Sequence, residues 1–249
     1  EFSKNYPLLI TTLMKRPVNF YPNEIGLVYR NHLSGEYFRF TWKEWHERTC
    51  QLANALKGPL GVTQGSPDNP GDRIATMALN HHRHMELYYA VPCWGAVLHP
   101  INVRLSPDHI AHTINHSKDE VIFVDDTVWP LLESIYDRIK DTVKKFVYMS
   151  DRPGLPDTKI EPLYEYEELI GQQPKEFDWP MLHEDNYATL CYTTGTTGLP
   201  KGAMFTHRQL YLQTLHVNSC YYFATDPITR KPGEAGIPML ITPLFHVHG

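Results

Sequence analysis

The sequence predicts an α/β fold: a doubly wound, mainly parallel sheet with flanking helices. Three observations carry this. Short apolar runs at residues 72–79, 96–100, 121–124 and 146–149 alternate with stretches of helical periodicity, the pattern of parallel pairing and of a sheet covered on both faces. The helical stretches begin on residues suited to capping. A fifth run, 189–192, delivers a loop rich in Thr and Gly, and open α/β sheets bind ligands beyond the carboxyl ends of their strands.

The elements follow in order. Residues 25–31 and 36–40 read as two strands around His32-Leu33-Ser34-Gly35, and a Gly before the second run suits a hairpin. Thr41-Trp42-Lys43-Glu44 is a capping box. It opens a helix that turns Trp45, Cys50, Leu52, Ala53 and Leu56 to one side and stops at Gly58-Pro59. Residues 64–71 have the Gly, Ser, Pro, Asp and Asn of a surface loop. After the strand 72–79, Asn80 is the expected cap of a helix carrying Met85, Leu87, Tyr88, Tyr89 and Trp94, kinked or ended by Pro92. Ser106 and Pro107 open another helix as N-cap and first residue. A helix over 128–140 leads to the strand 146–149. Residues 151–186 hold five prolines and read as an irregular excursion with one short helix near 164–170. Beyond the Thr/Gly loop, 203–205 reads as a short strand. Thr206-His207-Arg208-Gln209, another capping box, starts a helix over 207–217. A last strand at 239–242 precedes Pro243-Leu244-Phe245-His246-Val247-His248-Gly249.

Composition narrows the function. The 249 residues are 42% hydrophobic and 20% charged, with a formal net charge of -5, ordinary for a globular protein. There is no basic surplus to bind nucleic acid and no apolar run of the roughly 20 residues that spans a membrane. Four widely spaced cysteines, Cys50, Cys93, Cys191 and Cys220, argue for reduced thiols and a cytoplasmic location. The chain begins at Glu1 rather than Met, so its native N-terminus and any targeting segment are left open.

Chemistry concentrates in Tyr192-Thr193-Thr194-Gly195-Thr196-Thr197-Gly198-Leu199-Pro200-Lys201-Gly202. Gly lets backbone N–H groups approach a ligand, and a concave run of them attracts phosphate oxygens. The Thr hydroxyls add donors or metal ligands, and Lys201 adds a compact positive charge. The stretch is chemically a polyphosphate clamp. It is not a Walker A loop, because Pro200 precedes the Lys and Gly202 follows it. The loop is expected to join two strands, away from any helix N-terminus.

From Tyr192 to Gly202 the stretch resembles the phosphate-binding signature of the AMP-binding, adenylate-forming enzymes. Pro243 to Gly249 resembles their next motif, in which the residue at the position of His246 lies beside the carboxylate substrate. Gly71-Asp72-Arg73-Ile74-Ala75, Asn80 to Val97, Asn102 to Pro107 and Ile114 to Asp125 are similar to long- and medium-chain fatty-acyl-CoA synthetases. The resemblance covers nearly the whole chain, most weakly over 151–186. It implies an N-terminal piece of a longer enzyme, part of its large domain. Residues 1–68 and 226–249 would then belong to a second subdomain and 69–225 to the α/β subdomain that carries the loop. It further implies a fatty acid, ATP and CoA as substrates, with Mg²⁺. Lys201 and His246 would be catalytic. Thr193, Thr194, Gly195, Thr196, Thr197, Gly198 and Lys201 would hold the phosphates, with Thr194 also on the metal. A homodimer is a candidate assembly. The CoA site would lie mostly outside this chain, which alone would be inactive. The alternatives are an aryl, short-chain or amino acid as substrate, or a non-catalytic nucleotide-binding module.

Two polar runs invite other readings. His81-His82-Arg83-His84 has no Cys/His partner at zinc spacing and is expected to be a solvated or capping cluster. Glu165-Tyr166-Glu167-Glu168 is expected to be a solvated face rather than a catalytic carboxylate pair.

Overall fold

The structure, a computed structural model, describes residues 6–193, 198–224 and 243–245, backbone alone at 220–224. The chain opens with helix α1 (Ile10–Phe20), hairpin strands β1 (Ile25–Arg30) and β2 (Tyr37–Thr41), and α2 (Trp42–Lys57). Then come β3 (Arg73–Met77), α3 (His82–Trp94), β4 (Val97–Pro100), α4 (Pro107–Ser117) and β5 (Asp119–Asp125). After a 3-10 turn follow α5 (Trp129–Ile139), β6 (Lys145–Met149), β7 (Leu163–Glu165), α6 (Tyr166–Gly171), β8 (Tyr187–Thr193), β9 (Lys201–Thr206) and α7 (His207–Ala224).

Strands β3 to β9 form one sheet in the order β7-β6-β5-β3-β4-β8-β9. All neighbours are parallel except β8 and β9. Side chains alternate across a strand, so Val121 and Phe123 of β5 enter one core while Ile122 and Val124 enter the other. Helices α2, α3 and α6 cover the first face, α4 and α5 the second. The strands are apolar on both sides because both sides are covered.

Local signals were followed closely. Thr41 and Glu44 form both bonds of the capping box, and Ser106 caps α4 with Pro107 behind it. Thr206 and Gln209 close the other box: the Thr206 N–H donates to Gln209 Oε1 at 2.9 Å and the Gln209 N–H to Thr206 Oγ1 at 3.3 Å. The hairpin β1–β2 forms its own antiparallel sheet.

Four expectations need correction. The N-cap of α3 is His81, one residue past Asn80: its Nδ1 accepts from the His84 N–H. Pro92 neither ends nor precedes the end of α3 by much; it sits in the last turn, and the chain leaves at Gly95 with φ 106, a conformation that suits Gly. The proline-rich excursion contributes β7 at the sheet edge, parallel to β6. Helix α1 had no reading in the sequence, and α7 runs seven residues beyond the expected 217. The expected strand 239–242 lies outside the described residues.

The two polar runs are not solvated faces, although the capping expected of the histidine run is present at His81. His82, Arg83 and His84 are buried, and so is Tyr166. Arg48 Nε donates to Glu86 Oε1 at 2.6 Å and its Nη1 to Glu167 Oε2 at 2.9 Å. Arg83 Nε reaches Glu167 Oε1 at 2.7 Å and its Nη1 reaches Asp151 Oδ1 at 2.9 Å. The Tyr166 hydroxyl donates to Glu86 Oε2 at 2.5 Å. This network ties α2, α3, α6 and the end of β6 together. Burial alone would raise the Glu167 carboxyl. The nearby His82 ring, the hydrogen bonds from Arg48 and the charges of Arg48 and Arg83 hold it far below the usual range instead.

Candidate functional site

The carboxyl ends of the parallel strands form one edge of the sheet, and the chemistry expected from the sequence collects there. Thr193 ends β8 and Lys201 begins β9, and the two are directly paired across the antiparallel ladder. The loop therefore leaves and re-enters the sheet through a two-stranded stem, with the six residues of β9 between it and the start of α7. Gly198 has φ 123, so its backbone form favours glycine, and no atom of the described residues lies within 4 Å of where a Cβ would sit. Lys201 is exposed and forms no ion pair among the described residues. Thr194, Gly195, Thr196 and Thr197 lie outside the described residues, as does His246.

The segment just ahead of His246 is held at the same edge. The Leu244 N–H donates to Asn80 Oδ1 at 2.8 Å, and the Tyr88 hydroxyl donates to the Leu244 carbonyl. Arg104 stands over the Phe245 ring, 5.8 Å from its centroid. Leu244 and Phe245 are both buried. The turn that presents Asn80 is fixed by Asp125 at the end of β5. Its Oδ2 accepts from the Leu79 N–H at 2.7 Å and its Oδ1 from His81 Nε2–H at 2.6 Å. Because His81 Nδ1 is engaged as the helix cap, its proton belongs on Nε2.

An apolar pocket of about 360 Å³ among α1, α3, α7 and β8 is lined by Tyr88, Tyr89, Thr189, Leu210, Thr214 and Leu244, among others. The fold thus brings the strand of the Thr/Gly loop and the start of the second motif around one cavity. Burial raises the Tyr88 phenol well above its ordinary value, so it is a neutral donor there. Behind it, His84 Nδ1–H donates to the Leu79 carbonyl at 3.0 Å, and Nε2 accepts from the Thr76 hydroxyl at 2.9 Å. Burial pulls this imidazole down to about 4, so it stays neutral.

Sequence reasoning missed Asn80, Tyr88 and Asp125 as builders of this edge. Their partners are far along the chain, and no local spacing announces them. Among the described residues, no group of three or more His, Cys, Asp or Glu could hold a metal ion, and no helix is long and apolar enough to cross a membrane.

A stem bearing Thr193 and Lys201 beyond a parallel strand, in a chain that matches the AMP-binding enzyme family over residues 14–249, defines the class: this chain belongs to that family. It is 38% identical over 215 residues to a medium-chain-fatty-acid–CoA ligase of Ectopseudomonas oleovorans, covering 86% of this chain and 37% of that protein. A 3-methylmercaptopropionyl-CoA ligase of Ruegeria lacuscaerulensis is 36% identical over 243 residues, 97% of this chain and 42% of that one. A peroxisomal trans-cinnamate:CoA ligase of Petunia hybrida is 29% identical over 98% of this chain and 42% of its own length. The chain thus spans about two-fifths of these relatives. Among solved structures, an anthranilate CoA ligase with anthranoyl-AMP superposes with a TM-score of 0.69 at 22% identity, covering 84% of this chain and 37% of that one. That likeness concerns the fold alone.

Proposed function

We propose that this protein activates a carboxylic acid with ATP and passes the acyl group to CoA. A carboxylate is a poor electrophile toward a thiol. Its oxygen attacks the α-phosphate of ATP, giving the acyl-AMP anhydride and pyrophosphate. The CoA thiolate then attacks the acyl carbon and AMP leaves. The observation that carries this reading is the Thr193–Lys201 stem at the carboxyl end of β8, at the same edge of the sheet as the segment that leads into His246, in a member of the AMP-binding family.

Charge builds on the phosphates as the anhydride forms. Thr193, Gly198 and Lys201, with Thr194, Gly195, Thr196 and Thr197, are the groups we assign to it, acting by electrostatic preorganisation. Mg²⁺ bound with ATP would supply charge to the phosphate oxygens, and Thr194 is the residue we assign to hold it. His246 borders the acid's carboxylate. The acid we infer is a fatty acid, supported by the names of two relatives at 38% identity. An aryl acid is the second reading, supported by the cinnamate ligase at 29%. We read residues 69–225 as the loop-bearing subdomain, supported by the separate two-stranded sheet of β1 and β2. Residues 1–68 and 226–249 are assigned to a second one. A cytoplasmic location is inferred from the free thiols of Cys50 and Cys93, although the cinnamate ligase is by name peroxisomal.

The test is acid-dependent pyrophosphate exchange by the whole protein, over aliphatic acids of increasing length, cinnamate and amino acids. Aliphatic acids should support the fastest exchange, and Lys201→Ala should slow it by about 10²–10³, the usual effect of one lost oxyanion donor. Faster exchange with cinnamate would transfer the assignment to aryl acids. No exchange with any acid would overturn the ligase reading.

A further inference from the structure

Tyr192, the residue just before the Thr193–Lys201 pair, is held in a way that a core-filling aromatic does not require. Its hydroxyl lies 2.6 Å from Nδ1 of His116 on α4. Its ring lies over the His99 imidazole, 5.0 Å between centroids. His99 is itself immobilised: Asp119 Oδ2 sits 2.8 Å from its Nδ1, and both residues are at most 1% exposed. The third contact is across the stem. Tyr192 pairs with Gly202 of β9, and a Cβ at 202 would lie 3.1 Å from Tyr192 Cζ. The missing side chain at Gly202 is therefore the space the phenol ring occupies.

Residues directly opposite in an antiparallel pair face the same way, and neighbours along a strand face opposite ways. Tyr192 and Gly202 thus turn toward α4, and Thr193 and Lys201 turn to the other face, the side of Tyr88 and Leu244. Lys201 to Met204 are exposed, and among the described residues β9 is the edge strand, paired with β8 alone. Two-stranded ribbons twist more freely than wide sheets. The ring of Tyr192, lying across both strands, is what opposes that twist where the stem leaves the sheet. The hydroxyl bond to His116 fixes the ring's own rotation. Burial, helped by the nearby Asp119 charge, pushes the phenol up to about 12, so it keeps its proton at working pH.

We propose that Tyr192, seated on His116, is a positioning residue that aims Thr193 and Lys201 at the polyphosphate. The proposal rests on the nucleotide reading above and adds to it a residue that touches no substrate. It is tested in the whole protein with Tyr192→Phe, His116→Ala and the double variant. Calorimetric titration reads ATP binding, and pyrophosphate exchange reads the KM for ATP, the KM for the acid and kcat. Each single variant should weaken ATP binding and raise the KM for ATP by about 3–10-fold, the scale of one hydrogen bond's net contribution. The KM for the acid should stay unchanged. The double variant should be no worse than the worse single one, because both remove the same bond. A merely structural role would instead lower the melting temperature and leave the two KM values unsplit, which would overturn the proposal. ATP affinity equal to wild type in both single variants would overturn it as well. If wild type binds ATP without exchanging pyrophosphate while the variants bind more weakly, the ligase reading fails and the positioning role stands. If wild type binds no ATP, both fail.

Discussion

Asn80 Oδ1 accepts from the backbone N–H of Leu244, 164 residues away, at 2.8 Å. The side chain placed by its sequence position to start a helix instead anchors the segment that leads into His246. Removing it in Asn80→Ala leaves the partly buried Leu244 N–H without this acceptor, at a cost of about 1–3 kcal/mol. The loss should be local. Amide exchange at Leu244 should speed up by about ten-fold or more while exchange in α5 stays unchanged, and Asn80→Asp, which keeps the acceptor, should restore protection. Unchanged protection at Leu244 in the Ala variant would show that the Tyr88 bond suffices.

Gly26 in β1 is a second position where one atom decides the outcome. A Cβ there would sit 2.3 Å from Cδ2 of Trp42, with two more indole carbons within 2.7 Å. Trp42 packs edge-on against Trp45, whose ring is in turn edge-on to Tyr89, so the indole cannot swing away without disturbing the buried group of Ile10, Met14, Trp45, Cys93 and Ala188. Gly26→Ala should destabilise by about 1–3 kcal/mol through overpacking, read as a lower denaturant midpoint at unchanged slope. A midpoint equal to wild type would mean the Trp42 ring has room that the packing does not show.

The elements that were legible are those whose signal is local. The two capping boxes, the Ser106-Pro107 start and the hairpin around Gly35 each need only three or four residues to declare themselves. The Thr/Gly loop was legible as a strand–loop–strand for the same reason. Helix α1 shows the opposite case. Its N-cap, Leu9, offers no side-chain cap; the Ile10 N–H donates to His207 Nδ1 at 3.4 Å, across 197 residues, and the Leu8 N–H to Glu184 Oε2 at 2.9 Å. A cap delivered by tertiary contact leaves no trace in spacing. Charge runs mislead similarly: Glu167 reads as solvent-facing until Arg48 and Arg83 arrive from elsewhere in the chain.

The ionic network gives a third expectation. Glu86 is fully buried and accepts from both Arg48 and Tyr166. Glu86→Ala leaves the largely buried Arg48 guanidinium with Glu167 alone and the buried Tyr166 hydroxyl without its acceptor, and breaking a buried pair from one side costs up to about 3–5 kcal/mol. Replacing the pair together, Arg48→Met with Glu86→Leu, should cost less than the single change, since the desolvation of both ions disappears with them. The comparison is made by urea unfolding. A double variant less stable than Glu86→Ala would show that the network contributes net stability beyond its own desolvation.

His84 and His207 make stability depend on mild acid. Burial lowers both imidazoles to about 4 in the folded chain, against an ordinary 6.5. A depressed histidine takes up its proton first in the unfolded chain as pH falls. Between pH 6.5 and about 4 the unfolded state therefore holds more protons, and stability rises with pH across that window. The contribution is complete above pH 6.5 and lost by about pH 4. These two groups contribute a slope of up to about 2.7 kcal/mol per pH unit near pH 5, or two protons taken up on unfolding, and His46 and His82, lowered by burial as well, add to it in the same direction. Asp151 and Glu167 are depressed carboxyls, so the unfolded chain takes up their protons first as pH falls through the ordinary carboxyl range, and they add to the slope only below about pH 5. Denaturant midpoints measured at pH 7, 6 and 5 should fall progressively. His207→Gln, whose amide can still accept from the Ile10 N–H, should lower the slope by about one proton's worth, about 1.4 kcal/mol per pH unit. A flat profile from pH 6.5 to 5 would mean that neither imidazole is kept neutral by burial, and that the His84 bonds to Thr76 and Leu79 survive its protonation.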